Sequence, residues 1–319
     1  MLNALQSVFS VILMIALGFV LAKRKWFEGN SSSLLSRLVV SVALPAYMIS
    51  NLMSGYDRAK LLSMLPGLPI PFIAMIGSYV IAMGLALILR VPKGRRGTFA
   101  SMFSLSNAIF IGLPVNLLLF GDVSLPFALL YYIANTSCFW TIGTFGIAND
   151  GCILAGRPKP SLISLSGLKR ILSPPLVAFL AAVLMIMVGI KLPKPIMDLC
   201  KYLGNLTTPL SMLFVGIVIS RVEWKKLKLE LDLMFVIAGR FLVTPFFVYL
   251  MVKGRDFPLL MKQVFLIQSA MPAMTQTPIL AEAYGADSEY AGIGTSLTTV
   301  LSLITIPLYM GLVGVLFQG

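Results

Sequence analysis

Apolar stretches of about twenty residues recur along the 319-residue chain, divided by short polar connections. A helix rises about 1.5 Å per residue, so twenty residues cross about 30 Å of hydrocarbon. The pattern predicts ten helical spans, at residues 3–22, 34–53, 65–89, 98–120, 124–148, 174–190, 195–220, 230–252, 259–283 and 289–315. The expected fold class is an all-α membrane protein. The first span is too long for a secretory signal and lacks a basic start and a small-residue cleavage site, so it is expected to stay as a permanent helix. The last residues, VLFQG (315–319), match the remnant of a cleaved affinity tag and are set aside.

Two of these spans are interrupted by residues that weaken a helix. SNAIFIGLPVN (106–116) carries Asn107, Gly112 and Pro114, and QSAMPAMTQTPILAEAYG (268–285) carries Pro272 and Pro278 with Thr275, Gln276 and Thr277 between them. An amide finds no partner in hydrocarbon, and proline removes a backbone donor and clashes with the preceding turn. The prolines also repeat: Pro45 and Pro209 lie 164 residues apart, as do Pro114 and Pro278, in the second and fourth spans of each half. Residues 1–150 and 168–314 are therefore expected to be two five-span repeats joined by a cytoplasmic linker at 151–167. Five is odd, so the second half enters the membrane inverted, the usual build of a secondary transporter. The breaks are expected at Pro114, Pro272 and Pro278. Backbone groups freed there need protein or cavity water as partners, and two breaks crossing near the midplane would aim half-helix N-termini at an anion.

Composition agrees, with 58% hydrophobic and 12% charged residues. The net charge of +13 does not point to nucleic acid, because the basic residues sit in short connections between apolar spans. The odd-numbered connections hold fifteen Lys and Arg and the even-numbered ones eight, which predicts odd connections in the cytoplasm and both termini outside. Cys138, Cys152 and Cys200 form no metal-binding spacing, and the absence of histidine removes zinc-protease and Ser-His-Asp chemistry. No cofactor is expected, and the chain is not expected to be an enzyme.

The spacing of Asn107, Gly112 and Pro114, the run from Gln268 through Pro272, Tyr284, Thr298 and Pro307 to Tyr309, and LPAYMIS around Pro45 resemble the auxin efflux carrier family, as does the Trp140 region. That family includes plant PIN-formed carriers and bacterial permeases for malonate and malate, and the resemblance covers nearly the whole chain. It implies a fold like those of bile-acid symporters and sodium/proton antiporters. Spans 1, 2, 6 and 7 would form a scaffold that pairs two copies, and spans 3–5 and 8–10 a transport domain that moves as an elevator. The family's substrate-site asparagine matches Asn107. The chain departs from the plant pattern at Ser106, where those carriers have proline, and at Thr277, with Pro278 one residue later.

Candidate substrate-binding residues are Asn107, Gly112, Pro114, Asn135, Arg240, Gln268, Ser269, Pro272, Thr275 and Gln276. For Asn107 and Asn135 the alternative is interhelical hydrogen bonding, and for Gln268 and Gln276 the capping of freed backbone. Arg240 lies about eleven residues into its span, where a charge is costly. It would pair either with a substrate carboxylate or with a structural partner such as broken-helix carbonyls.

The expected function is transport of small organic anions, such as mono- or dicarboxylates, in a bacterial inner membrane. A sodium/proton antiporter is the first rival, disfavoured because the fifth span, LLYYIANTSCFWTIGTFGI, lacks paired acids. A membrane sensor that binds without transporting is the second. Sodium-coupled, proton-coupled and uncoupled transport all stay open at this stage.

Overall fold

The structure, a computed structural model, describes residues 2–27, 31–158, 174–221 and 230–317. Residues 159–167 of the expected linker lie outside the described residues. The described chain is helical, and its extended pairing consists of one antiparallel bridge between Ser106 and Ala273. Five helices among the described residues are long and apolar enough to cross a bilayer, at Leu34–Gly55, Arg58–Ile88, Lys194–Ser220, Leu231–Val252 and Ser288–Leu316. Large apolar side chains such as Val80, Ile88, Leu184, Leu242, Ile304 and Leu308 are exposed along the helices, as lipid contact requires.

In chain order the helices are α1 (Leu2–Lys23), α2 (Ser31–Leu38), α3 (Leu44–Gly55), α4 (Arg58–Met64), α5 (Pro69–Ile88) and α6 (Arg96–Ser104). They continue as α7 (Leu113–Phe120), α8 (Leu125–Cys138), α9 (Thr144–Leu154), α10 (Pro174–Val188), α11 (Lys194–Gly204) and α12 (Thr207–Ser220). The last are α13 (Leu231–Ala238), α14 (Thr244–Val252), α15 (Leu259–Ser269), α16 (Thr277–Tyr284) and α17 (Ser288–Leu316). Because α9 runs to Leu154, the polar connection begins later than residue 151.

Several prolines turn out to continue helices. π-helical turns occupy Val39–Ala43, Ala108–Gly112, Phe139–Gly143 and Gly239–Val243, and all but the one at Phe139–Gly143 are followed two residues later by proline, at Pro45, Pro114 and Pro245. A proline ring collides with the carbonyl four residues back in an α-helix, and the wider π-turn makes room for it. Pro45 is therefore accommodated within a helical run from Ser31 to Gly55.

The chain forms two compact units. The first comprises residues 1–67, 109–129 and 172–222, and the second 68–108, 130–171 and 223–319. In the first unit α1 packs along α12, and α3 lies against α10 and α11. Glycine permits the closest approach: a Cβ on Gly216 would sit 2.1 Å from the Ile15 carbonyl oxygen, and one on Gly18 would sit 2.4 Å from that of Leu213. Small residues give membrane helices this intimacy, since lipid supplies little hydrophobic drive for association.

In the second unit α6 is central, packed against α5, α9 and α13. Its residues from Gly97 to Ser104 are all buried, and Phe99, Met102 and Phe103 share a core with Val236, Ala273 and Tyr290. Its N-terminus is held from α9, because the Asp150 carboxylate accepts from Gly97 N (3.0 Å), Thr98 N (2.7 Å) and Thr98 Oγ1 (2.9 Å). Asp150 follows the predicted fifth span. Burial pushes its carboxyl up to about 6, against the opposing pull of these three donors and of Arg96.

Candidate functional site

Two interrupted helical runs meet inside the second unit. α6 ends at Ser104 and α15 at Ser269, and each C-terminus leaves carbonyls with no helical partner. Beyond α6, Leu105 is extended, with φ −106° and ψ 126°. Ser106 then pairs with Ala273, and Asn107 N donates to the Pro272 carbonyl at 2.8 Å. The second run resumes as a helix only at Thr277.

The interruptions are not where all the prolines stand. Pro114 and Pro278, expected as break points, both stand in helix: Pro114 lies within the run Ala108–Phe120, carried by the π-turn before it, and Pro278 occupies the opening turn of α16. A first-turn residue has no helical acceptor for its N–H, so Pro278 loses nothing there and marks where a half-helix begins. The breaks themselves fall at residues 105–107 and 270–276, and Pro272 lies within the second.

Arg240, contributed by the π-turn between α13 and α14, is completely buried. Its Nη1 donates to the Phe103 carbonyl at 3.2 Å and its Nη2 to the Ser269 carbonyl at 2.6 Å. One guanidinium thus caps the C-terminal ends of both interrupted helices. Each such end carries about −0.5 of a charge, so the two together offset about one positive charge. Among the described residues Arg240 has no carboxylate partner. The hydrogen bonds to broken-helix carbonyls are thus one of the two roles weighed for it. Thr244 Oγ1 adds a long bond to the same Phe103 carbonyl, at 3.4 Å.

Asn135, on α8, is committed to backbone. Its Oδ1 accepts from Ser106 N at 3.0 Å and its Nδ2 donates to the Ser106 carbonyl at 2.8 Å. A side-chain amide matches the donor and acceptor of one peptide unit, and here it satisfies both groups of an unwound residue. The Ala273 N–H on the opposite strand donates to Thr298 Oγ1 at 3.2 Å, from α17. Ser269 is also engaged: its hydroxyl donates to the Leu266 carbonyl at 2.6 Å.

Gln268 differs from all of these. It is fully buried, and neither Oε1 nor Nε2 has a hydrogen-bond partner. Leaving a buried polar atom unpaired costs about 1–3 kcal/mol, so a core amide in this state calls for an explanation. Gln276, half-buried beside the start of α16, likewise has an unpartnered Oε1, and that helix has no side-chain N-cap.

The structure therefore gathers Asn107, Asn135, Arg240, Gln268, Ser269 and Pro272 in the second unit, with Thr275 and Gln276 on the same non-helical stretch. Gly112 and Pro114 belong to the first unit and are helical. Sequence reasoning did not select Ser106, Thr244 or Thr298 as site residues. Thr298 entered only as one of the residues carrying the family resemblance, with no role attached, and Thr244 gave no hint. Among the described residues no cluster of His, Cys, Asp and Glu could hold a metal ion.

Bilayer-length apolar helices and a buried crossing of interrupted segments are the build of a membrane carrier. The sequence profile of the membrane transport protein family, which includes the auxin efflux carriers, matches residues 3–310, and the chain belongs to that family. It is similar to an uncharacterized transporter of Methanocaldococcus jannaschii, 24% identical over 305 residues that cover 94% of this chain and 95% of the relative. An uncharacterized transporter of Methanothermobacter thermautotrophicus is 25% identical over 317 residues, covering 97% and 98% respectively.

Proposed function

We propose that the protein is a secondary carrier of small organic anions, mono- or dicarboxylates, that works by alternating access. The fold would be two inverted five-span repeats, with the second unit as the elevator domain and the first as the scaffold through which two copies pair in a cell membrane. Asn107, Gln268 and Gln276 would meet the substrate, while Asn135 and Arg240 hold the crossing in shape.

The observation that carries this reading is the Gln268 amide, buried without a partner next to helix ends whose negative poles Arg240 already neutralises. With the C-terminal ends offset, the uncapped N-terminus of α16 leaves a positive bias, and amide N–H groups supply donors for a carboxylate. The absence of a paired acid in the fifth span keeps cation exchange in second place.

Uptake of labelled malonate or malate into proteoliposomes tests the proposal. Asn107→Ala and Gln268→Leu should each cut uptake at least about tenfold while the protein still folds, and Gln268→Leu should melt no lower than wild type, because it removes an unpaired buried amide. Near-normal uptake by both variants, at normal levels of folded protein, overturns the reading.

A further inference from the structure

A polar concavity, formed by none of the residues of the crossing, lies in the first unit. It has a volume of about 430 Å3 and is bounded by α3, α11, the start of α4 and the turn at residues 122–124. A volume in the range of about 300–1,000 Å3 is typical of small-molecule sites. α3 turns Tyr47, Ser50, Asn51 and Ser54 toward it, at the i, i+3, i+4 and i+7 positions that share one helix face. α11 answers with Asp198 and Lys201, and the residue that follows it, Asn205, continues the same spacing. A polar stripe on a bilayer-length helix opposes the rule that such helices are apolar where lipid or protein covers them.

The charges in this cavity are balanced but not spent on each other. Lys60 and Lys201 supply two cations and Asp122 and Asp198 two anions, and among the described residues neither lysine forms an ion pair with either aspartate. Asp122 instead accepts a hydrogen bond from the Tyr47 hydroxyl, and Lys60 Nζ donates to the Gly55 carbonyl at 3.3 Å and sits over the Tyr56 ring. Asn51 Oδ1, buried against the same cavity, is an acceptor with no donor.

We propose that this cavity binds a small zwitterion, with an anionic carboxylate or phosphate held by Lys60 and Lys201 and a primary ammonium held by Asp198, Asp122 and Asn51 Oδ1. A simple anion would satisfy the lysines and face two carboxylates. A simple cation would meet the reverse. Only a ligand carrying both charges pairs with all four and gives Asn51 a donor. A free amino acid and a phosphoethanolamine headgroup share this chemistry. The site is independent of the anion carrier reading, since its residues belong to the other unit.

Thermal-shift titration of the purified full chain with L-alanine, O-phosphoethanolamine, propionate and ethylamine, at matched ionic strength, tests the proposal. At least one zwitterion should stabilise saturably, with an apparent Kd at least about tenfold below those of the two singly charged probes. Alanine as the effective ligand identifies a free amino acid, and O-phosphoethanolamine alone a headgroup. Lys201→Gln and Asn51→Leu should each weaken it about tenfold, with Lys60→Gln as substitute should Lys201→Gln not fold, and Asn107→Ala should leave it unchanged. Equal binding of propionate or ethylamine, no shift with either zwitterion, or a shift indifferent to the cavity substitutions refutes it.

Discussion

Replacing Arg240 by methionine removes one buried guanidinium and keeps most of its bulk. The Phe103 and Ser269 carbonyls then lose donors at 3.2 and 2.6 Å and stay buried at two helix C-termini. Hydrogen bonds to a charged group contribute about 1.5–3 kcal/mol each, so the gross loss is about 3–6 kcal/mol. Removing a desolvated charge gives some of this back. Deleting one side of a buried charged contact nevertheless costs about 3–5 kcal/mol, and here the partners left behind are dipoles, which favours the low end. About 3 kcal/mol corresponds to a fall in melting temperature of about 5–10 °C in a chain of this size. Arg240→Lys should lie between the two proteins, because a compact ammonium lacks the fork that reaches two carbonyls at once. The assay is a melting curve for each purified protein beside the KM for carboxylate uptake. If Arg240 instead paired with substrate, Arg240→Met would raise KM and leave melting unchanged, and that result would refute the capping argument.

Three further outcomes follow from the same contacts. Asp150 has a folded pKa of about 6 against an ordinary 3.8, so between these values the folded chain holds a proton that the unfolded chain has lost. Its contribution to stability therefore falls by about 3 kcal/mol as pH rises from about 4 to about 6 and is level above that; Asp150→Asn should remove this slope, and matching melting profiles of the two proteins between pH 4 and 7 would contradict the assignment. Ser106→Pro suits the extended Leu105 before it but deletes the N–H given to Asn135 Oδ1, and should cost about 1–3 kcal/mol by denaturation. Carbonyls at half-helix C-termini are the usual ligands for sodium in such carriers, and here two are occupied by Arg240. Exchanging sodium for N-methylglucamine should therefore change carboxylate uptake by less than about twofold, and strong sodium stimulation would show that a cation binds elsewhere.

Of the ten expected spans, the five that are bilayer-length helices among the described residues were legible because hydrocarbon thickness sets the length of an apolar run without reference to tertiary neighbours. Leu34–Gly55 and Leu231–Val252 follow that rule closely. The breaks were legible only to within several residues. Proline was read as a breaker, yet Pro278 opens a half-helix and Pro45 and Pro114 are carried by π-turns, because proline is costly only where a helical N–H and a narrow turn are both required. The pairing that fixes the crossing joins Ser106 to Ala273, residues far apart in the chain and unremarkable in side-chain chemistry.

The same limit explains the site. Arg240 announced itself as an expensive charge, but what it touches is backbone, and a carbonyl of Phe103 or Ser269 is identical in sequence to every other carbonyl. Asn135 was suspected as an amide in a span, yet its partner is the peptide unit of Ser106. Gln268 was ranked no higher than its neighbour Gln276 because sequence cannot show that an amide is fully enclosed and unpaired. The proposed division of labour follows from that contrast: Asn135 and Arg240, bonded to backbone, maintain the crossing, and Gln268, with both amide atoms buried and unpartnered, is left for a guest. This is the ground for the proposed carboxylate substrate: with the negative helix ends offset by Arg240, a carboxylate is the guest that the remaining donors and positive helix end would favour.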